Sequence, residues 1–141
     1  MKTLKTPIEG LLVFIPNVFS DERGSFFESW SKKYFKEIKF EFVQDNQSSS
    51  KKGVLRGLHF QNPPYEQGKL VRVIKGAVID VAVDIRRGSP TFGQTITTLL
   101  DDESHMRFYV PPGFAHGYYV LSEEAIFNYK CTDFYHPEDE Y

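Results

Sequence analysis

KLVRVIKGAVIDVAVDIRRGSP, residues 69–90, is the stretch on which the fold class turns. Val71 and Val73, then Val78, Asp80, Ala82 and Asp84 set against Ile79, Val81, Val83 and Ile85, alternate with a period of two. Such a period sends successive side chains to opposite faces of an extended chain, and β-branched residues favour that conformation. Lys75-Gly76 and Arg87-Gly88-Ser89-Pro90 supply turn chemistry at the two ends of the second run. The stretch therefore predicts two strands, 69–76 and 77–86.

Similar runs recur on both sides, each bounded by turn residues: GLLVFIP (10–16), KFEFVQ (39–44), GVLRGLHF (53–60), GQTITTLL (93–100), MRFYVP (106–111), GYYVLS (117–122) and AIFNYKCTDFY (125–135). Many short strands at this spacing predict an all-β, antiparallel jelly-roll sandwich. SSSKKG at 48–53 has the composition of a loop. One helix is expected over SWSKKYFKEI (29–38), where Trp30, Tyr34, Phe35 and Ile38 recur at helical spacing after a capping serine. With no repeat or linker, residues 1–141 read as a single domain.

The composition narrows the function. Seventeen Lys and Arg are interspersed with 19 Asp and Glu for a net charge of −2, which gives neither a basic stripe for nucleic acid nor a polybasic membrane patch. Pro7, Glu9 and Pro16 interrupt the apolar N-terminus, so neither a signal peptide nor a spanning helix is expected. The lone Cys131 has no disulfide partner and reads as a buried thiol of a cytoplasmic protein. Thirteen Phe and eight Tyr suit strands and a pocket that stacks flat rings.

Candidate chemistry centres on GVLRGLHFQ (53–61). Arg56 and His59 are three residues apart, which in a regular strand puts them on opposite faces; a bulge at Gly57 would bring them together. His116 follows the PPGFA corner, where side chains point into barrel mouths. Either histidine, taken alone, is more often a hydrogen-bonded structural residue. Two scattered imidazoles without a His-x-His pair do not form a divalent site, so no metal is expected. No Gly-x-Ser-x-Gly elbow, Gly-x-Gly-x-x-Gly or phosphate-binding loop occurs. Proton chemistry by His, Tyr and Lys beside a carbonyl, with Arg on an anion, is what remains. Asp80 and Asp84 share a strand face and are expected to point to solvent, a role inside the barrel being the other reading. Asp133 and the tail PEDE (137–140) read as solvated charge, Glu140 excepted.

In order along the chain, DERGSFFES (21–29), FVQDNQS (42–48), GVLRGLHFQNPPYEQGKLVRV (53–73), DVAVDIRRGSPTFG (80–93), VPPGFAHGYYVLS (110–122) and NYKCTDFYHPEDE (128–140) resemble the dTDP-4-dehydrorhamnose 3,5-epimerases of the cupin superfamily. The resemblance implies a jelly-roll subunit, a homodimer that exchanges N-terminal segments, a dTDP-4-keto-6-deoxyhexose substrate, and proton removal and return beside the C4 ketone without a cofactor. It implies that His59 is the general base, Tyr129 the acid on the opposite face and Lys69 the cation at the enolate oxygen, with His116 lining the sugar pocket. Arg23 and Arg56 resemble diphosphate or nucleotide contacts, Gln44, Asn46 and Glu28 polar nucleotide contacts, Tyr135 a stacking group and Glu140 a late acidic contact. Arg23 and Glu28 lie in the segment that the family exchanges, so they are expected to serve the partner's site.

Members of that family run further at the C-terminus, where an aspartate pairs with the base histidine. Tyr141 is the last residue here, so Asp80 or Asp84 is expected within hydrogen-bonding reach of His59. The related alternatives are inversion at C3 or C5 alone, ketone isomerisation, or a non-catalytic nucleotide-sugar binder.

Overall fold

The computed structural model describes residues 1–141. A six-stranded antiparallel sheet runs in the order β1 (Lys2–Lys5), β2 (Leu12–Ile15), β10 (Arg107–Val110), β7 (Lys69–Lys75), β12 (Glu124–Cys131) and β5 (Gln44–Lys51). A four-stranded sheet has the order β6 (Leu55–His59), β11 (Phe114–Val120), β8 (Ala77–Asp84) and β9 (Thr95–Asp101). A separate hairpin pairs β3 (Phe19–Asp21) with β4 (Gly24–Phe26). The expected antiparallel sandwich is thus present.

Alternation builds the core between the two sheets. Val71, Val73, Phe108, Val110 and Phe127 from the larger sheet meet Val78, Ala82, Phe114 and Val120 from the smaller one in one buried cluster. Each large side chain buried there contributes about 1.5–3 kcal/mol relative to exposure. The turn at Gly76 does not make a hairpin: β7 and β8 lie in different sheets, and the chain crosses between them at this residue. Gly76 has φ +87°, and a Cβ there would lie 2.2 Å from the Glu124 carbonyl oxygen, so only glycine fits this crossing.

Three expectations are corrected. Residues 29–38 form no helix. Two separate turns, Tyr34 N–H to the Ser31 carbonyl at 3.0 Å and Ile38 N–H to the Phe35 carbonyl at 3.1 Å, replace it. A helix this short is marginal without packing, and the packing here comes from Phe35 and Ile38. They bury with Leu12, Phe14, Leu70 and Tyr109 on the outer face of the six-stranded sheet. The strand placed at 39–44 lies instead at 44–51, so SSSKKG is largely strand. Its inner residues are polar, which hid it from a hydrophobic pattern. Asp80 and Asp84 do not face solvent: both are 0% exposed, on the same face of β8 as Val78 and Ala82. Hydrogen bonds make that burial tolerable. Asp84 accepts from the Arg86 side chain at 2.9 and 2.8 Å, from Ser89 Oγ at 2.7 Å and from Thr91 Oγ1 at 2.6 Å, while Asp80 is bound by a histidine.

Candidate active site

The pocket forms where β6 and β11 approach most closely. Their register pairs His59 with His116 and Arg56 with Tyr118, so three steps on β6 match two on β11, and an extra residue bulges out of β6. Gly57, at φ +108°, is what allows it: a Cβ there would come within 2.7 Å of both Gly117 Cα and the His116 carbonyl oxygen. The bulge turns Arg56 and His59 to the same cavity, as GVLRGLHFQ suggested.

That cavity, of about 140 Å³, is lined by Arg56, His59, Lys69, His116, Tyr129 and Glu140, with Ser48, Tyr118 and Phe127 completing the wall. His59 on β6 and His116 on β11 come from the four-stranded sheet, Lys69 on β7 and Tyr129 on β12 from the six-stranded one. The imidazole and the phenol therefore stand on opposite walls of the cavity. Burial raises the Tyr129 phenol above its ordinary value and keeps it a protonated donor at neutral pH. Burial lowers the Lys69 ammonium, against the attraction of Cys131, its cross-strand neighbour, and of Glu140 and Asp80.

Asp80 is not the partner of His59. Its two carboxylate oxygens lie 2.8 and 2.9 Å from His116 Nε2, and Asp84 is committed to Arg86, Ser89 and Thr91. The carboxylate beside His59 is Glu140, whose Oε1 is 3.3 Å from His59 Nδ1. The other oxygen of Glu140 accepts a hydrogen bond from Tyr135 Oη at 2.5 Å. Sequence spacing could not place this residue, because the tail must first fold back on β6. Phe60 and Tyr141 exchange backbone hydrogen bonds of 3.0 Å, and Asn62 N–H donates to the Asp139 carbonyl at 3.1 Å. Buried Gln61 clamps the return, its amide donating to the Tyr65 and Phe134 carbonyls and its oxygen accepting from His136 N–H.

Gln44 and Asn46 lie at the start of β5 and are joined by a 3.1 Å hydrogen bond. Tyr135 N–H donates to the Gln44 side-chain oxygen at 3.3 Å, so these three form a polar rim beside Glu140. Arg56 Nε donates to Ser50 Oγ at 2.9 Å. Ser48, Ser50 and Tyr118 were missed by reading for catalytic residue types. A polar period of two through Gln44, Asn46, Ser48 and Ser50 was the available signal. Ser48 and Tyr118 share a 2.7 Å hydrogen bond, and the Tyr118 ring stacks on Phe127 at 4.0 Å.

Arg23 and Glu28 do not join this pocket within one chain. Arg23 sits on the β3–β4 hairpin, paired with Asp21 at 2.6 Å, and Glu28 lines a separate crevice with Phe19, Phe26 and Tyr34. Cross-strand partners Phe19 and Phe26 are 66% and 69% exposed, an apolar pair with nothing packed on it. The cluster His136, Glu138 and Asp139 lies on the tail, outside the cavity. No helix is long and apolar enough to cross a membrane.

A jelly-roll sandwich with an imidazole and a phenol on opposing walls of one cavity, and a partly buried lysine between the sheets, defines the class: a β-sandwich isomerase. The sequence model of the family described as dTDP-4-dehydrorhamnose 3,5-epimerase matches residues 5–141. A dTDP-4-dehydrorhamnose 3,5-epimerase from Shigella flexneri is 56% identical over 138 residues, 96% of this chain and 76% of that protein. The solved dTDP-6-deoxy-D-glucose-3,5-epimerase of Legionella pneumophila, in complex with dTDP-4-keto-L-rhamnose, superposes with a TM-score of 0.96 at 54% identity, over 99% of this chain and 76% of that one. A 3′-monoepimerase from Streptomyces bikiniensis, in complex with dTDP-quinovose, gives 0.91 at 32% identity over 96% and 70%. The chain belongs to the dTDP-4-dehydrorhamnose 3,5-epimerase family.

Proposed function

We propose that the chain epimerises a dTDP-4-keto-6-deoxyhexose at C3 and C5, and that His59, Lys69 and Tyr129 perform the proton transfers. The observation that carries this reading is the placement of His59 and Tyr129 on opposite sheets of one cavity with Lys69 beside them. Inversion needs a base on one face of a carbon and an acid on the other. His59 removes the proton next to the C4 ketone, the electron pair moves to O4, and Lys69 stabilises the enolate charge that develops there. Tyr129 then returns a proton from the opposite wall, and the enolate collapses to the ketone. His116, held by Asp80, lines the sugar end.

Glu140 serves His59. Its carboxylate beside Nδ1 fixes the tautomer and leaves Nε2 for the substrate, and it stabilises the imidazolium once the proton has moved. Arg56, Gln44, Asn46 and Tyr135 hold the nucleotide end, with the guanidinium on the diphosphate and the phenol ring against the base or ribose. The exposed Phe19 and Phe26, with Arg23 and Glu28 on or near the same hairpin, support a homodimer in which this hairpin covers the partner's nucleotide site. A nucleotide-sugar substrate and a single buried thiol accord with a cytoplasmic enzyme.

Inversion at C3 alone is the second reading, favoured by the shared fold of the Streptomyces bikiniensis 3′-monoepimerase. The higher identity to the 3,5-epimerases weighs against it. Incubation with dTDP-4-keto-6-deoxyglucose in D2O separates the readings. Deuterium at both C3 and C5 is expected; deuterium at one position selects a monoepimerase, and none sinks the enzyme reading in favour of a binder.

A further inference from the structure

The outer face of the six-stranded sheet carries charge that the catalytic pocket does not use. Arg107 on β10 stands opposite Arg72 on β7, Arg72 opposite Asn128 on β12, and Asn128 opposite Gln47 on β5, so one polar row crosses four strands. Lys130 and Asp45 face each other in the adjacent row. With Ser29, five of these residues, Asp45, Arg72, Arg107, Asn128 and Lys130, line a crevice of about 170 Å³, several times the roughly 30 Å³ occupied by a water molecule.

Arg107 is 1% exposed, and neither of its Nη atoms has a hydrogen-bond partner. Its guanidinium lies against Phe27 and Phe35, at 5.8 and 5.9 Å from the ring centres. Aromatic faces attract the cation but offer no acceptor to its N–H groups. The one carboxylate in the crevice, Asp45, is occupied by Lys130 Nζ at 2.9 and 3.1 Å. Burial and the neighbouring Arg72 charge pull Arg107 down to about 10, which leaves it protonated at neutral pH. Three cations against one carboxylate leave two positive charges in excess in the crevice, and Arg107 among them is buried. Buried charge in a folded protein is ordinarily paired, because its desolvation is otherwise uncompensated.

We propose that this crevice binds a small divalent oxyanion of the phosphate class, held by Arg72, Arg107 and Lys130 with the Ser29 hydroxyl at its rim. A tetrahedral oxyanion supplies the acceptors that the guanidinium fork lacks, and its charge matches the excess. The site is on the far side of β7 and β12 from Lys69 and Tyr129, so it is independent of the proposed reaction. Its occupation neutralises the outer face of the strands that carry those two residues and stabilises the folded chain by mass action.

The test is thermal melting of the full chain across a titration with inorganic phosphate, ionic strength being held constant with chloride. A saturable rise in melting temperature is expected, with half-saturation weakened roughly tenfold in Arg107→Gln, the loss of one charge-assisted contact. Arg72→Gln gives the same weakening and decides the matter if Arg107→Gln does not fold. A rise that follows ionic strength alone, or that both variants leave unchanged, overturns the proposal. So does a response abolished by Arg56→Gln and insensitive to Arg107→Gln, which puts the phosphate in the catalytic pocket.

Discussion

Replacing Lys69 with methionine separates the chemistry of the pocket from its stability. The ammonium is held down by burial, which outweighs the attraction of Cys131, Glu140 and Asp80. Asp80 is bound to His116 and Glu140 is shared by His59 and Tyr135. The Cys131 thiol, pushed up to about 11 by burial, is neutral. Desolvation is therefore the dominant influence on Lys69, and an apolar side chain of similar length removes it. Exchanging a desolvated ion for a packed hydrophobe is neutral to stabilising, here by about 1 kcal/mol, or about 2–4 °C in melting temperature for a chain of this size. Loss of the cation at the developing enolate should cost about 10²–10³ in kcat, roughly 3–4 kcal/mol of transition-state stabilisation. The pH dependence has a definite sign. Because the folded chain binds this proton more weakly than the unfolded one, the penalty is full below the folded pKa and is relieved as pH rises towards the ordinary value of 10.5. Lys69→Met should remove that rise. The assays are a thermal melt at neutral and alkaline pH and deuterium wash-in followed by NMR. A variant that melts several degrees lower while retaining wild-type exchange would refute the reasoning on both counts.

Two further substitutions probe the elements around it. Glu140→Gln keeps the shape beside His59 but not the charge, and should lower kcat by about tenfold or more with little change in KM, while Glu140→Asp recovers part of it; a KM effect alone would make Glu140 a substrate contact instead. Arg86, the first of several hydrogen-bond donors, holds the Asp84 carboxyl well below the carboxylate range. Its contribution to stability is present above the ordinary 3.8 and is lost as pH falls towards the folded value. Asp84→Asn should therefore flatten the acid limb of the stability profile measured by urea unfolding below pH 4, and an unchanged limb would remove Asp84 from that role.

Much of this is legible in the sequence. Strands β7 and β8 follow from β-branched alternation and β12 from its aromatic-rich run, and the Gly57 bulge from the conflict between Arg56 and His59 and a strict period of two. The failures have physical causes. Alternation puts Asp80 and Asp84 on one face of β8 but does not say which face is core; that is set by His116 and Arg86, which arrive from elsewhere in the chain or turn back from its end. Strand β5 escaped because its inward residues line a wet pocket and are polar. Trp30, Tyr34, Phe35 and Ile38 have the spacing of a helix, yet two turns suffice to bury the pair that matters. Glu140 reaches His59 only through the return of the tail onto β6, a contact across 81 residues that no local pattern encodes.

The central claim is that His59 and Tyr129 act on opposite faces of the sugar, and Tyr129→Phe in D2O tests it most directly. His59 is 49% exposed at its side chain, so its abstracted proton can exchange with solvent before it returns. The account predicts recovered dTDP-4-keto-6-deoxyglucose that carries deuterium with its original configuration, and inversion reduced by about 10²–10⁴-fold. Deuterium appearing only in inverted product at the wild-type rate would contradict it.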